Sequence, residues 1–332
     1  MTQTSTPSVA LVGCGQWGRN IARTLANLGA LKLVCDTDGP RSELFARSLG
    51  ADFTPDIEQA IHAPGISAIA LATPAVTHAA LAQQALHAGK HVFVEKPIAL
   101  SIADANEIAT LARRLGRVLM VGHLLQYHPV FIKLLRMVRD GQLGKLQYIY
   151  SNRLNQGRIR TEENALWSLA PHDLSMILAL AGEFPTAVYA SAQAAIQSSI
   201  PDLVVADYSF RNGLKAHVFC SWLNAYKEHR LVVTGDKGMA VFLDSAPSWE
   251  EKLVFYPHVV AWGDNGPEFK KGEGLRVAVN QGEPLRAEMQ HFLECVAEGK
   301  PPRTDSDEAI SVLRLLEATQ HSMDSGDRTV IS

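Results

Sequence analysis

The chain has 332 residues, more than one compact domain usually needs, so two domains are expected. Hydrophobic residues make up 47% and charged residues 20%, an ordinary globular balance, and a formal net charge of -3 argues against a general nucleic-acid partner. Four cysteines, Cys14, Cys35, Cys220 and Cys295, form no C-x-x-C pair and read as small buried hydrophobes in a reducing compartment, with neither a disulfide frame nor a metal site.

The opening MTQTSTPS lacks the basic and apolar regions of a secretory signal. No apolar run approaches the roughly 18 residues of a membrane span. A cytoplasmic location without a membrane partner is the expectation. Residues 9–12 read as a first strand, and Ile21, Leu25 and Leu28 mark one face of a helix that Gly29 can end. A second strand follows at 31–35, and Asp38-Gly39-Pro40 opens a helix that Gly50 can close. Short apolar runs at 68–72, 92–94 and 118–121 alternate with helical stretches at 75–88 and 101–115, closed by Gly89 and Gly116. Buried strands separated by helices of this length predict an α/β fold, a doubly wound parallel Rossmann sheet.

Beyond a helix at 129–139 the texture changes to β-rich segments at 203–210 and 214–222, joined by the hairpin signal Arg211-Asn212-Gly213. A second hairpin is expected around Gly235 to Gly238, between 231–233 and 239–243. This half is therefore expected to be an α+β domain on an open, mainly antiparallel sheet. Helices return at 283–298 and 305–323, while 259–281 carries no readable pattern. The expected division is a nucleotide-binding domain at 1–123 and a substrate-binding and oligomerisation domain at 124–332. The C-terminal helices are candidates to pack back on the first domain, and the open sheet is the expected surface of a homodimer or homotetramer.

The strongest motif is Gly13-Cys14-Gly15-Gln16-Trp17-Gly18, a G-x-G-x-x-G run directly after a strand and before a helix. The first glycine permits the tight turn, the second a close backbone approach to a pyrophosphate, and the third tight helix–strand packing. Asp36, 18 residues past Gly18, ends the second strand where an acid accepts hydrogen bonds from ribose hydroxyls. A turn or cap is its plainer role. A carboxylate there repels a 2′-phosphate, which favours NAD over NADP, although Arg41 lies near.

Ligands in such sheets lie at the carboxyl ends of strands. Two segments stand there: one runs from Thr73 and Pro74 to His78, the other is Glu95-Lys96-Pro97. The second reads either as a solvated loop with a helix-breaking proline or as a catalytic turn whose Lys96 stabilises alkoxide charge. His172, in Ala170-Pro171-His172-Asp173 before an apolar helix, is either a cap or a general base near a helix N-terminus.

In this order the motifs resemble the glucose–fructose oxidoreductase / inositol dehydrogenase (Gfo/Idh/MocA) family over nearly the whole chain. The resemblance implies binding of NAD(H) or NADP(H) and redox chemistry on a ring hydroxyl of a sugar or cyclitol. It implies catalytic roles for Lys96 and His172, and a Lys96–Pro97 bond that is often cis. Gly13, Gly15, Gln16, Trp17, Gly18, Asp36, Thr73, Pro74, His78, Glu95, Lys96 and Pro97 are the expected cofactor contacts. Many members carry aspartate four residues before the histidine, where this chain has Ser168. The segment from Tyr148 through Arg153, Asn155 and Arg158, with Trp167, His172 and Asp173, is similar to a subgroup that oxidises C3 of UDP-N-acetylglucosaminuronic acid. Lys96, Arg153, Asn155, Arg158, Trp167, His172 and Asp173 are the expected substrate contacts. An inositol or monosaccharide dehydrogenase, a redox-neutral NAD-dependent glycosidase and a non-catalytic dinucleotide-binding regulator are the alternatives.

Overall fold

A computed structural model describes residues 6–157 and 159–331, with the side chains of 259–262 and 269 excepted. The chain divides into two compact units, one running to Tyr127 and including Glu283–Leu313, the other made of His128–Gly282 and Arg314–Ser332.

The first unit is built on six parallel strands: β1 Val9–Val12, β2 Leu31–Cys35, β3 Asp52–Thr54, β4 Ala68–Leu71, β5 His91–Val94 and β6 Leu119–Val121. Their order is β3-β2-β1-β4-β5-β6. β1, β4 and β6 are buried at every position, as strands covered on both faces must be, which is why they read as unbroken apolar runs. The chain reverses its direction of winding between β1 and β4, and the crevice at the carboxyl ends of those two strands is where such sheets bind ligands. The helix Ile102–Leu115 begins where Ser101 accepts the Asp104 N–H and stops at Gly116, whose φ of 60° is left-handed. The stretch expected to be helical from 75 opens instead as a 3-10 turn, Ala75–Thr77, before the α-helix His78–His87. The edge strand β3 and the helix Ile57–His62 are too short for their periodicity to show in sequence. The helix Pro284–Glu298 buries Leu285, Met289, Phe292 and Leu293 in the same core as β1 and β2.

The second unit carries a nine-stranded sheet made of β7 Leu146–Gln156, β8 Ala187–Gln193, β9 Leu203–Ser209, β10 Lys215–Ser221, β11 Leu223–Gly235, β12 Met239–Leu243, β13 Leu253–Tyr256, β16 Leu275–Arg276 and β17 Thr329–Val330. Two strands between β13 and β16, β14 His258–Gly263 and β15 Gly266–Lys271, form a separate hairpin in the stretch that carried no sequence pattern. β7 and β10 pair in parallel, and the other pairings of the large sheet are antiparallel. The Asn-Gly turn joins β9 to β10 with Gly213 at a φ of 90°. Alternation along β7 sends Ile149, Ser151 and Arg153 to the buried face, against which the helix Pro171–Ala181 packs, and leaves Tyr148 and Tyr150 on the other. Among the described residues no helix is long and apolar enough to cross a membrane.

Candidate active site

In the first unit the loop after β1 turns into the helix Gln16–Asn27 through contacts that only glycine allows. Gly13 has a φ of 93°, and a Cβ on it would lie 2.6 Å from the Ala72 carbonyl oxygen. A Cβ on Gly18 would lie 1.9 Å from the Gly13 carbonyl oxygen. Gly15 has open space where its side chain would be, so the backbone is free to approach a ligand. Neither an acidic residue in the first turn nor a side-chain cap at Gly15 competes for the positive end of this helix. The cradle therefore fits a dinucleotide pyrophosphate.

Asp36 follows β2, and its carboxylate accepts the N–H of Cys14 from the glycine loop and the N–H of Asp38 at 2.8 Å. Each oxygen keeps a lone pair for a ribose hydroxyl. It borders a cleft of about 630 Å³ that also collects Gly15, Arg19, Arg23 and Arg41. Arg19 donates to the Cys14 carbonyl at 3.2 Å, and both Arg19 and Arg23 lie over the Phe45 ring at 5.1 and 5.2 Å. Gln16 and Trp17 are exposed at the helix start.

At the carboxyl ends of β4 and β5, the Lys96–Pro97 peptide is cis. Thr73 is half-buried, Pro74 exposed, and Glu95, Lys96 and Pro97 half-buried. His78 lies beneath both turns: one ring nitrogen is 2.9 Å from the Thr73 carbonyl and the other 2.7 Å from that of Pro97. Burial holds its pKa below the ordinary value, against the pull of those carbonyls. With 1% of its surface exposed, His78, a cofactor contact in the sequence reading, lies inside the fold between the two turns. Glu95 accepts the Trp17 indole N–H at 2.5 Å and the Lys96 backbone N–H at 3.3 Å, so it ties the glycine loop to the Lys96 turn.

Three groups beside this turn were not anticipated. His123, 2% exposed after β6, bonds Glu308 at 2.6 Å. Glu288 is fully buried. The signal for it was present: Glu288 occupies the second place of an apolar stripe, Leu285, Glu288, Met289, Phe292, Leu293, where a charged residue is out of pattern.

In the second unit Pro171, His172 and Asp173 form the first turn of the helix Pro171–Ala181. His172 is half-buried, whereas Asp173 is 1% exposed and paired with Arg153, which is 7% exposed. The Arg153 guanidinium donates to both Asp173 oxygens, and the Ser151 hydroxyl donates to Asp173 at 2.5 Å. Burial alone would weaken the Arg153 charge, but the Asp173 carboxylate more than offsets it and raises the pKa. The pair thus pins the helix start to β7, and both partners are spent on one another before any substrate arrives.

The same network continues through His229, whose Nδ1 is 3.4 Å from Arg153, to Asp244, which Lys252 and His128 hold at 2.9 and 3.4 Å. Burial and the Arg153 charge pull the His229 pKa down to about 4. The Asn155 Oδ1 is buried and meets no donor among the described residues. The Trp167 indole N–H and Asn164 both donate to Gln320, leaving the half-buried Trp167 ring as a platform. Ser168 lies in the preceding short helix Ala165–Leu169. Arg158 lies outside the described residues. No cluster of three or more potential metal ligands occurs among the described residues.

A glycine cradle, an acid closing β2 and a lysine turn at the carboxyl end of a parallel sheet define a Rossmann-type NAD(P)-binding oxidoreductase unit. The chain belongs to the Gfo/Idh/MocA family: residues 8–123 match its "Oxidoreductase family, NAD-binding Rossmann fold" and residues 131–241 its C-terminal domain. It is 26% identical to UDP-N-acetylglucosamine 3-dehydrogenase of Acidithiobacillus ferrooxidans over 88% of this chain and 89% of that one. It is 27% identical to scyllo-inositol 2-dehydrogenase (NAD(+)) of Bacillus subtilis over 91% of this chain and 90% of that one. A solved structure of the Acidithiobacillus enzyme, at 24% identity, shares the fold with a TM-score of 0.83 over 96% of this chain and 98% of that one.

Two outcomes are expected. Gly18→Ala forces the helix off the Gly13 carbonyl, so dinucleotide affinity measured by titration falls at least tenfold, about 1.4 kcal/mol. His229 is held neutral by the fold, so its contribution is fully present above about pH 6.5 and is lost as pH falls toward about 4. Thermal unfolding followed against pH therefore has a shallower acid slope in His229→Asn than in the parent.

Proposed function

We propose that the protein is an NAD-dependent dehydrogenase that oxidises a ring hydroxyl of a sugar or nucleotide sugar, with C3 of a UDP-sugar the favoured position. The observation that carries the reading is the Lys96 turn at the carboxyl end of β5, tied through Glu95 to the glycine loop that fits a dinucleotide. Gly13, Gly15 and Gly18 would hold the pyrophosphate and Asp36 the adenosine ribose. A bound nicotinamide supplies the two-electron acceptor.

In this reading the Lys96 ammonium hydrogen-bonds the reacting hydroxyl and stabilises the alkoxide as it forms. His172, at the start of its helix, takes the hydroxyl proton, a role that typically contributes about 10² to 10⁴ in rate. Asp173 acts through Arg153 and Ser151 by fixing that helix start. Asn155, with an acceptor awaiting a donor, suits a sugar hydroxyl, and the Trp167 ring suits a sugar face. Ser168 stands four residues before the histidine, where many relatives carry an aspartate, and offers a hydroxyl in place of a carboxylate. The two relatives named above, one acting on a UDP-sugar and one on an inositol, support the substrate class. The preference for NAD rests on the Asp36 carboxylate. Three guanidiniums in the same cleft favour some tolerance of a 2′-phosphate.

Purified protein incubated with NAD and a panel of UDP-sugars, free sugars and inositols is expected to form NADH with a UDP-sugar. NADH with an inositol alone would move the substrate, and product without net NADH would point to redox-neutral glycosidase chemistry. Lys96→Ala and His172→Ala are each expected to lower kcat by about 10² or more while leaving NAD affinity nearly intact. Near-normal turnover in His172→Ala would remove it as the base. Asp36→Ala should weaken NAD about tenfold and strengthen NADP, and an unchanged ratio of the two dissociation constants would remove Asp36 from the ribose site.

A further inference from the structure

β5 and β6 are parallel neighbours whose last paired residues are Val94 and Val121, so Glu95 and Gly122 leave the sheet side by side. Their backbones keep the strand pattern: the Glu95 N–H donates to the Leu71 carbonyl and the Gly122 N–H to that of Val94, both at 2.9 Å. Alternation sends the Glu95 side chain to the face of Phe93, which shares a core with Ile21 and Leu25 of the helix Gln16–Asn27. Trp17 stands one turn before Ile21 on that helix, and its indole reaches the Glu95 carboxylate at the strand ends. The indole N–H donates to one Glu95 oxygen at 2.5 Å, and the Lys96 backbone N–H donates to the other at 3.3 Å. Gly122 lies directly against the same carboxylate. A Cβ on it would stand 3.0 Å from the Glu95 Cδ and from each oxygen. Gly122 does not have the left-handed φ found at many other glycines here, so what this position takes from glycine is empty space.

We propose that Trp17 and Gly122 are positioning residues for the Lys96 turn. Gly122 leaves the seat into which the Glu95 carboxylate settles, and the Trp17 indole N–H holds it there. The Lys96 backbone, bonded to the other oxygen of that carboxylate, thereby keeps one place relative to the glycine loop. A hydrogen bond to a carboxylate is stronger and more directional than one between neutral groups, so a single indole suffices to choose one orientation of the acid. The two residues act from different elements on one group: Trp17 from the first turn of a helix, Gly122 from the end of a neighbouring strand. Filling the seat and removing the indole N–H are therefore two routes to the same displacement. The effect on turnover rests on the dehydrogenase reading, but the contact between Trp17, Glu95 and Gly122 does not.

The chain has five tryptophans, few enough for each indole N–H to be followed by nuclear magnetic resonance in the full-length, nitrogen-15-labelled protein without cofactor. The Trp17 signal, identified by its loss in Trp17→Phe, is expected downfield of a water-bonded indole. Glu95→Ala should return it to the water-bonded position, and Gly122→Ala should move it the same way by pushing the carboxylate off its seat. A Trp17 signal that either variant leaves in place overturns the proposal, whatever the protein turns over. The kinetic arm uses the substrate on which the parent is active. Trp17→Phe and Gly122→Ala are each expected to lower kcat about tenfold while the NAD dissociation constant changes by less than about twofold. The double variant should lose little more than either alone, because both act through one carboxylate. Losses that multiply, or a loss confined to NAD affinity, would overturn the assignment and leave the dehydrogenase reading intact. A parent silent on every sugar and inositol, with the Trp17 signal behaving as expected, would defeat that reading and uphold the contact.

Discussion

The first turn of the helix after β1 lies against the carbonyl of Gly13, closer than any side chain would permit, and the rest of the nucleotide unit follows from that contact. It fixes the helix end at the mouth of the crevice between β1 and β4, so the free N–H groups and the positive dipole end point where the winding of the sheet reverses. It also presents Cys14 N–H to Asp36 and the Trp17 indole to Glu95. One steric constraint thus orients both the acid that closes β2 and the acid that carries the lysine turn.

Both units use ionisable groups as internal braces. His78 is packed between the carbonyls of two turns, and Asp173 holds a strand and a helix through Arg153 and Ser151. A buried pair of this kind is costly to desolvate, and removing one partner leaves the other uncompensated, so such residues are poor candidates for direct contact with a substrate. The working set in the dehydrogenase reading is Lys96, His172, Asn155 and the Trp167 ring. In the dehydrogenase reading, the catalytic residues sit next to the braces in sequence. Lys96 follows Glu95 and His172 precedes Asp173, so the brace at one position sets the geometry of the working side chain at the next.

Much of this was legible in the sequence wherever burial is uniform or alternates cleanly. β1 and β2 coincide with their apolar runs, the helix Pro129–Arg139 with its proline start, and the β9–β10 hairpin with its Asn-Gly turn. β3 escaped because three residues at a sheet edge bury too little to leave a pattern. The hairpin β14–β15 escaped because its strands belong to no large sheet, and a two-stranded ribbon has no core face to impose alternation. The glycine loop and the lysine turn were readable because each depends on backbone geometry that few residue types allow. The burial and mutual pairing of Arg153 and Asp173 could not be read in advance, because a sequence shows charge but not what neutralises it. His229 and Asp244 were invisible for the same reason: Arg153, which faces His229, and His128, which faces Asp244, lie far from them in the chain.

The helix Pro284–Glu298 places Met289 and Phe292 in the core of β1 and β2, nearly three hundred residues after β1 begins. The nucleotide-binding unit is therefore discontinuous along the chain, and its hydrophobic interior stays open during synthesis until residues 284–298 have left the ribosome. Long-range closure of this kind slows folding and lengthens the time for which apolar surface is exposed to other chains. Residues 8–123, though they carry every glycine and acid of the cofactor cradle, are on this account a recognition unit in evolution but not a complete unit of folding.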